Sequence, residues 1–131
     1  MKKVRFLFIT ILLGSITQIY AQKESVLIGK WNVEFVGEDD SAIIEFKNEG
    51  GNIIGYMMEY TDNTGEKFKD NSKVHTSVLF DGKKGKSKYT LEWEGEAYET
   101  NLKFELANPD IIMASYSYYG FKSKEIWRRI R

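Results

Sequence analysis

From residue 30 onward, apolar side chains recur at every second position and seldom at helical spacing. Trp31, Val33 and Phe35 alternate with Asn32 and Glu34; Ile44 and Phe46 flank Glu45; Ile54, Tyr56, Met58 and Tyr60 share one face, with Gly55, Met57 and Glu59 on the other. Tyr89, Leu91 and Trp93 alternate with Thr90, Glu92 and Glu94, and Tyr98, Thr100, Leu102, Phe104 and Leu106 alternate with Glu99, Asn101, Lys103 and Glu105. Successive side chains of an extended chain point to opposite faces, so the pattern describes antiparallel strands with one dry and one wet face. A short segment at residues 23–28 is the one helical candidate.

Turn signals separate these runs: Glu49-Gly50-Gly51-Asn52, Asp62-Asn63-Thr64-Gly65, Asp81-Gly82-Lys83-Lys84-Gly85, Glu94-Gly95-Glu96, Asn108-Pro109-Asp110 and Tyr119-Gly120. Strands joined by such turns form a meander. The polar stretch from Glu66 to Lys73 is too long for a tight turn and is expected to be a loop across one end. Closure of a meander removes its exposed edges. Such strands can close as a barrel or stack as a sandwich, and closure is favoured: the expected fold is all-β, a single antiparallel up-and-down β-barrel of about eight or nine strands.

The first 21 residues stand outside this pattern. Lys2, Lys3 and Arg5 precede an apolar run from Phe6 to Leu13, and Ile19-Tyr20-Ala21 ends in a small residue. That is the layout of a secretory signal peptide, with an apolar run short of the roughly 20 residues that span a bilayer. We expect a signal peptide over residues 1–21, a domain over 22–131, and an exported protein, periplasmic or extracellular, with no transmembrane span after cleavage. Gln22 in place of cysteine excludes a lipobox. Residues 1–21 hold three basic and no acidic side chains, so the remaining 110 residues carry a net charge of −3. Nucleic acid is thus not an expected partner. With no cysteine in the chain, disulfides and thiolate chemistry are excluded, and packing alone must stabilise the fold.

Candidate chemistry is sparse. His75, the one histidine, cannot form a multi-histidine metal site and reads as a partly exposed strand-end residue. Glu38-Asp39-Asp40 lacks the spacing of a calcium loop and reads as a solvated turn. Glu92 and Glu94 fall on the wet face, which leaves no acid/base pair for glycoside chemistry. Lys83, Lys84, Lys86 and Lys88 surround glycines without the spacing or helix of a phosphate loop. No catalytic residue, metal or cofactor is expected, and the chain is read as binding rather than catalysing.

Aromatic residues carry more information. Sixteen lie beyond residue 21, and in a small barrel they either fill the interior or line a pocket. A buried phenol needs a hydrogen-bond partner and so favours a cavity or barrel mouth. Tyr56, Tyr60, Tyr98, Tyr116 and Tyr118, with Met58 as an adaptable filler, are the candidate pocket lining.

Gly29-Lys30-Trp31 opens the first strand, and Trp127-Arg128-Arg129 falls in the last. This pairing resembles the lipocalin and calycin signature, in which a G-x-W tryptophan closes the barrel floor beneath an arginine of the last strand. With Glu94-Gly95-Glu96-Ala97-Tyr98 and Tyr118-Tyr119-Gly120, it extends from Gly29 to Arg129 as a similarity to small secreted bacterial lipocalin-like proteins of unknown function. The resemblance implies a barrel and export, with Trp31, Trp127 and Arg129 as closing residues. Alternation leaves both Arg128 and Arg129 open as the partner of Trp31. Two functions follow as expectations: reversible binding of a small apolar or amphipathic ligand in the barrel mouth, or a solid barrel that binds another envelope protein as an inhibitor or assembly factor. The aromatic turn Tyr118-Tyr119-Gly120-Phe121 motivates the second.

Overall fold

The computed structural model describes residues 26–93 and 95–131; the expected signal peptide over residues 1–21 and most of the helical candidate lie outside them. The described end of that candidate, Val26 and Leu27, is a turn. Eight strands follow: β1 (Gly29–Phe35), β2 (Ser41–Glu49), β3 (Asn52–Thr61), β4 (Lys67–Phe80), β5 (Lys84–Trp93), β6 (Glu96–Asn108), β7 (Ile111–Tyr118) and β8 (Phe121–Ile130). Each pairs antiparallel with the next, and β8 returns to β1 from Lys30↔Ile130 to Phe35↔Glu125, closing an up-and-down barrel. The described residues contain no helix.

Inward positions follow the two-residue repeat on most strands. Trp31 and Val33 on β1, Ala42, Ile44 and Phe46 on β2, Leu102 and Phe104 on β6, Ile112 and Ala114 on β7, and Trp127 on β8 are all buried. Fully burying side chains of this size contributes roughly 1.5–3 kcal/mol each, which is how a barrel without disulfides holds together. Where the rings are densest, backbone must come close. A Cβ on Gly85 would sit 2.2 Å from the Phe104 ring and 2.6 Å from the Leu79 carbonyl oxygen, and one on Gly55 would sit 2.8 Å from both His75 and Phe46.

One end is plugged. Trp31 is fully buried and donates its indole N–H to the Leu27 carbonyl at 2.9 Å. The Arg129 guanidinium lies 4.2 Å from the Trp31 ring centre and donates to the carbonyls of Val26 (2.5 Å) and Pro109 (3.0 Å). Cation–π attraction and satisfied chain-end carbonyls thus meet at one side chain. Arg128 points outward and pairs with Glu34 at 2.8 Å. Of the two arginines, Arg129 covers the tryptophan.

The sequence expectations need correction on β3 and β4. Glu66 to Lys73 is not a loop: β4 begins at Lys67 and pairs with the end of β3 through Thr61↔Lys67, Tyr60↔Phe68 and Glu59↔Lys69. Its polarity reflects exposure, since residues 67–73 are all exposed. The register between β4 and β5 starts only at His75↔Tyr89, whereas β5 stays paired with β6 as far as Trp93↔Glu96. The two strands therefore part toward the unplugged end.

On β3 the inward face is the other one. Ile53 and Gly55 are buried, while Tyr56 lies on the outside beneath Lys47 and bonds Glu49. A bulge then resets the phase. Ile44 pairs with Met57 but Ile43 with Glu59, so Met58 is an extra residue between them, and Tyr60 comes round to the interior. One inserted residue exchanges the two faces of a strand.

Candidate functional site

Between the parted strands and the unplugged end lies a cavity of about 890 Å³. Phe35, Met57, Phe68, Val74 and Leu91 form its apolar wall, and the hydroxyl-bearing residues Tyr60, Tyr89, Tyr116 and Ser123 complete the lining. Its mouth mixes Lys69, Lys73 and Lys124 with Glu38, Asp70 and Glu92. A volume of this size, apolar with a few convergent polar groups, is characteristic of small-molecule sites.

Alternation on β8 sends Glu125 inward two residues before Trp127, and it is fully buried. Its Oε1 accepts the Trp127 indole N–H at 2.8 Å. The hydroxyls of Tyr89 and Tyr116 turn toward the carboxyl group and favour its charged form, yet Oε2 and the Tyr89 hydroxyl close no hydrogen bond of normal geometry. Burial prevails over these donors and pushes Glu125 up to about 7. Burial first, and then the Glu125 charge, raise both phenols, Tyr116 to about 12 and Tyr89 well above its ordinary value.

Beneath the cavity the rings interlock. Tyr89 meets Tyr116 edge-on at 5.3 Å and stacks on His75 at 4.5 Å; His75 meets the Trp127 ring at 5.2 Å. The expectation of an exposed His75 is overturned. A bulge on β4 leaves Val74 unpaired between Gly55↔His75 and Tyr56↔Lys73, and both Val74 and His75 turn inward. His75 Nδ1 lies 2.9 Å from Ser87 Oγ, Nε2 has no partner, and burial lowers the pKa to about 3, so the ring is neutral.

Asp40 is the second inward acid. Its Oδ2 accepts the Tyr60 hydroxyl at 2.5 Å, while Oδ1 is buried without a partner. The bond to Asp40 raises Tyr60 to about 12. Asp40 therefore belongs to the cavity wall and not to a solvated turn.

Of the six expected lining residues, Tyr60 and Tyr116 border the cavity, and Tyr56, Met58, Tyr98 and Tyr118 do not. Tyr98 bonds Glu96 at 2.7 Å and packs edge-on against Tyr118 at 5.0 Å. Sequence reasoning missed Asp40, Met57, Tyr89 and Glu125. The signal for Glu125 was present, because it shares a strand face with Trp127. The signals for Met57 and Asp40 were not, because one depends on a bulge and the other on a loop. Glu92 is exposed, and Glu94 lies outside the described residues. No family model, curated protein or solved structure matches this chain.

Proposed function

We propose that the chain is an exported, lipocalin-like binding protein that takes up a small apolar or amphipathic molecule reversibly through its open barrel end. The observation that carries this reading is the 890 Å³ cavity with an apolar wall and tyrosine and serine residues in its lining. The Trp31–Arg129 plug at the other end supports it, because it leaves one route of entry.

Met57 stands in the cavity wall, so Met57→Trp fills the space a ligand needs. The variant is expected to keep the parent's far-ultraviolet circular dichroism and to bind the neutral fluorophore N-phenylnaphthylamine about tenfold or more weakly. Unchanged affinity in Met57→Trp, or no binding by the parent, rejects the reading. Expression with the leader tests export: intact mass should show a chain that starts at Gln22.

A second reading has its own observation. At the β7–β8 turn, Tyr119 and Phe121 are 84% and 75% exposed, an unusual outlay of aromatic surface. Positive φ at Tyr119 and Gly120 (48° and 83°) holds this hairpin turn. On this reading the turn binds another envelope protein, and the Tyr119→Ala, Phe121→Ala double variant should lose partners in pulldowns from envelope extracts. Retained partners argue against it.

A further inference from the structure

The depth of the cavity is chemically one-sided. Tyr89 is fully buried, lines the cavity and has an unpartnered hydroxyl. Oε2 of Glu125, toward which it turns, and Oδ1 of Asp40 are unpartnered as well. Asp40, Tyr89 and Tyr116 line the cavity, and Glu125 lies directly behind its wall, paired across from Phe35 on β1 and two residues from Ser123 on the inward face of β8, both of which line it.

No cation among the described residues answers them. Lys69, Lys73 and Lys124 line the cavity but are exposed at its mouth, and the one basic group in the core, His75, is neutral. A buried carboxylate without a countercharge is destabilising, and a phenol ring beside it presents a face that attracts cations. A carboxylate ligand brought to the same depth would meet like charge.

We propose that the cavity takes a small primary amine with an apolar tail, its ammonium group at Glu125 beside the rings of Tyr89 and Tyr116 and its tail along Phe35, Met57 and Leu91. This assignment rests on the ligand-binding reading of the cavity and names the ligand class. The groups that face Glu125 are Trp127 on its own strand, Tyr89 on β5 and Tyr116 on β7, none of them a cation.

Three ligands of one tail length separate the possibilities: octylamine, octanol and octanoate, each titrated by calorimetry at about pH 8.5, where Glu125 is ionised. Octylamine should bind the parent about tenfold or more tightly than octanol, with octanoate weakest. In Glu125→Gln that preference should vanish, octylamine and octanol binding the variant within about twofold of each other. A second arm needs no variant: lowering the pH to about 5 protonates Glu125 and leaves the amine the ammonium it already is at about pH 8.5, and should abolish the preference in the parent. Octanol or octanoate binding as tightly as the amine overturns the assignment, as does a preference that survives Glu125→Gln or the lower pH. Binding of octanol without amine preference leaves the ligand-binding reading standing; binding of none of the three removes both.

Discussion

Truncation of Trp127 to alanine is expected to destabilise the barrel by about 3–5 kcal/mol, measured by urea denaturation. The indole is fully buried and is ringed by Phe46, His75 and Phe104, with centroids 5.5, 5.2 and 5.4 Å away. These neighbours come from β2, β4 and β6, across the whole barrel, so no single strand can move to fill the void. The truncation also removes the N–H donor of buried Glu125, and a buried charge without its donor is a further penalty. Trp127→Phe separates the two effects: it keeps most of the ring packing, loses only the donor, and should fall between parent and alanine variant. A loss under about 1 kcal/mol in Trp127→Ala would contradict a central role for this side chain.

Glu125→Gln should have the opposite sign. Burial raises the folded-state pKa from 4.5 to about 7, so between those values the folded chain holds a proton that the unfolded chain has released. Stability contributed by this group is complete below about pH 4.5 and is lost as pH rises through about 7. His75 works against it: its folded pKa falls from 6.5 to about 3, so stability rises with pH across that interval. From these two groups, the parent should gain stability between about pH 3 and 4.5, stay level to about 6.5, and decline toward 7. The amide of the Glu125→Gln variant stays neutral and still accepts the indole N–H. The variant should gain stability up to about pH 6.5 and hold it, standing about 3 kcal/mol above the parent beyond pH 7 and level with it below about pH 4.5. Denaturation midpoints across this range test the prediction. A variant no more stable than the parent above neutral pH would show that Glu125 is not held in a desolvated site.

The same carboxylate links stability to function. In the proposed complex an ammonium group offsets the desolvation that makes Glu125 unfavourable in the empty barrel at neutral pH, so bound ligand and fold would stabilise each other.

How far the strands could be read depended on their regularity. On β1, β2 and β6 as far as Leu106 the alternation identified inward and outward residues correctly, because these stretches lie unbroken between a dry interior and water. On β3 it assigned Tyr56 and Met58 to the wrong side and passed over Met57, since the bulge at Met58 lies in the pairing with β2 and leaves no mark in either strand alone. On β4 the exposed residues 67–73 read as a loop, because a strand that β5 has left shows no alternation to signal its presence.

The two-residue repeat, the turn signals and the absence of cysteine together determined a meander of antiparallel strands with one dry face each, held by packing alone and able to close as a barrel or stack as a sandwich; the β8–β1 pairing closes it. Repeat and turns are local properties, and backbone geometry converts them directly into strand faces. Only the tertiary structure decided that Arg129 and not Arg128 covers Trp31, that His75 is a neutral core residue, and that β4 and β5 part to open a cavity beside Tyr89, Tyr116 and Glu125. Each of those outcomes depends on register between strands, β1 with β8 for Arg129, β3 with β4 for His75 and β4 with β5 for the cavity. Register is set by bulges and by the fit of side chains across the closed barrel, neither of which any one segment encodes.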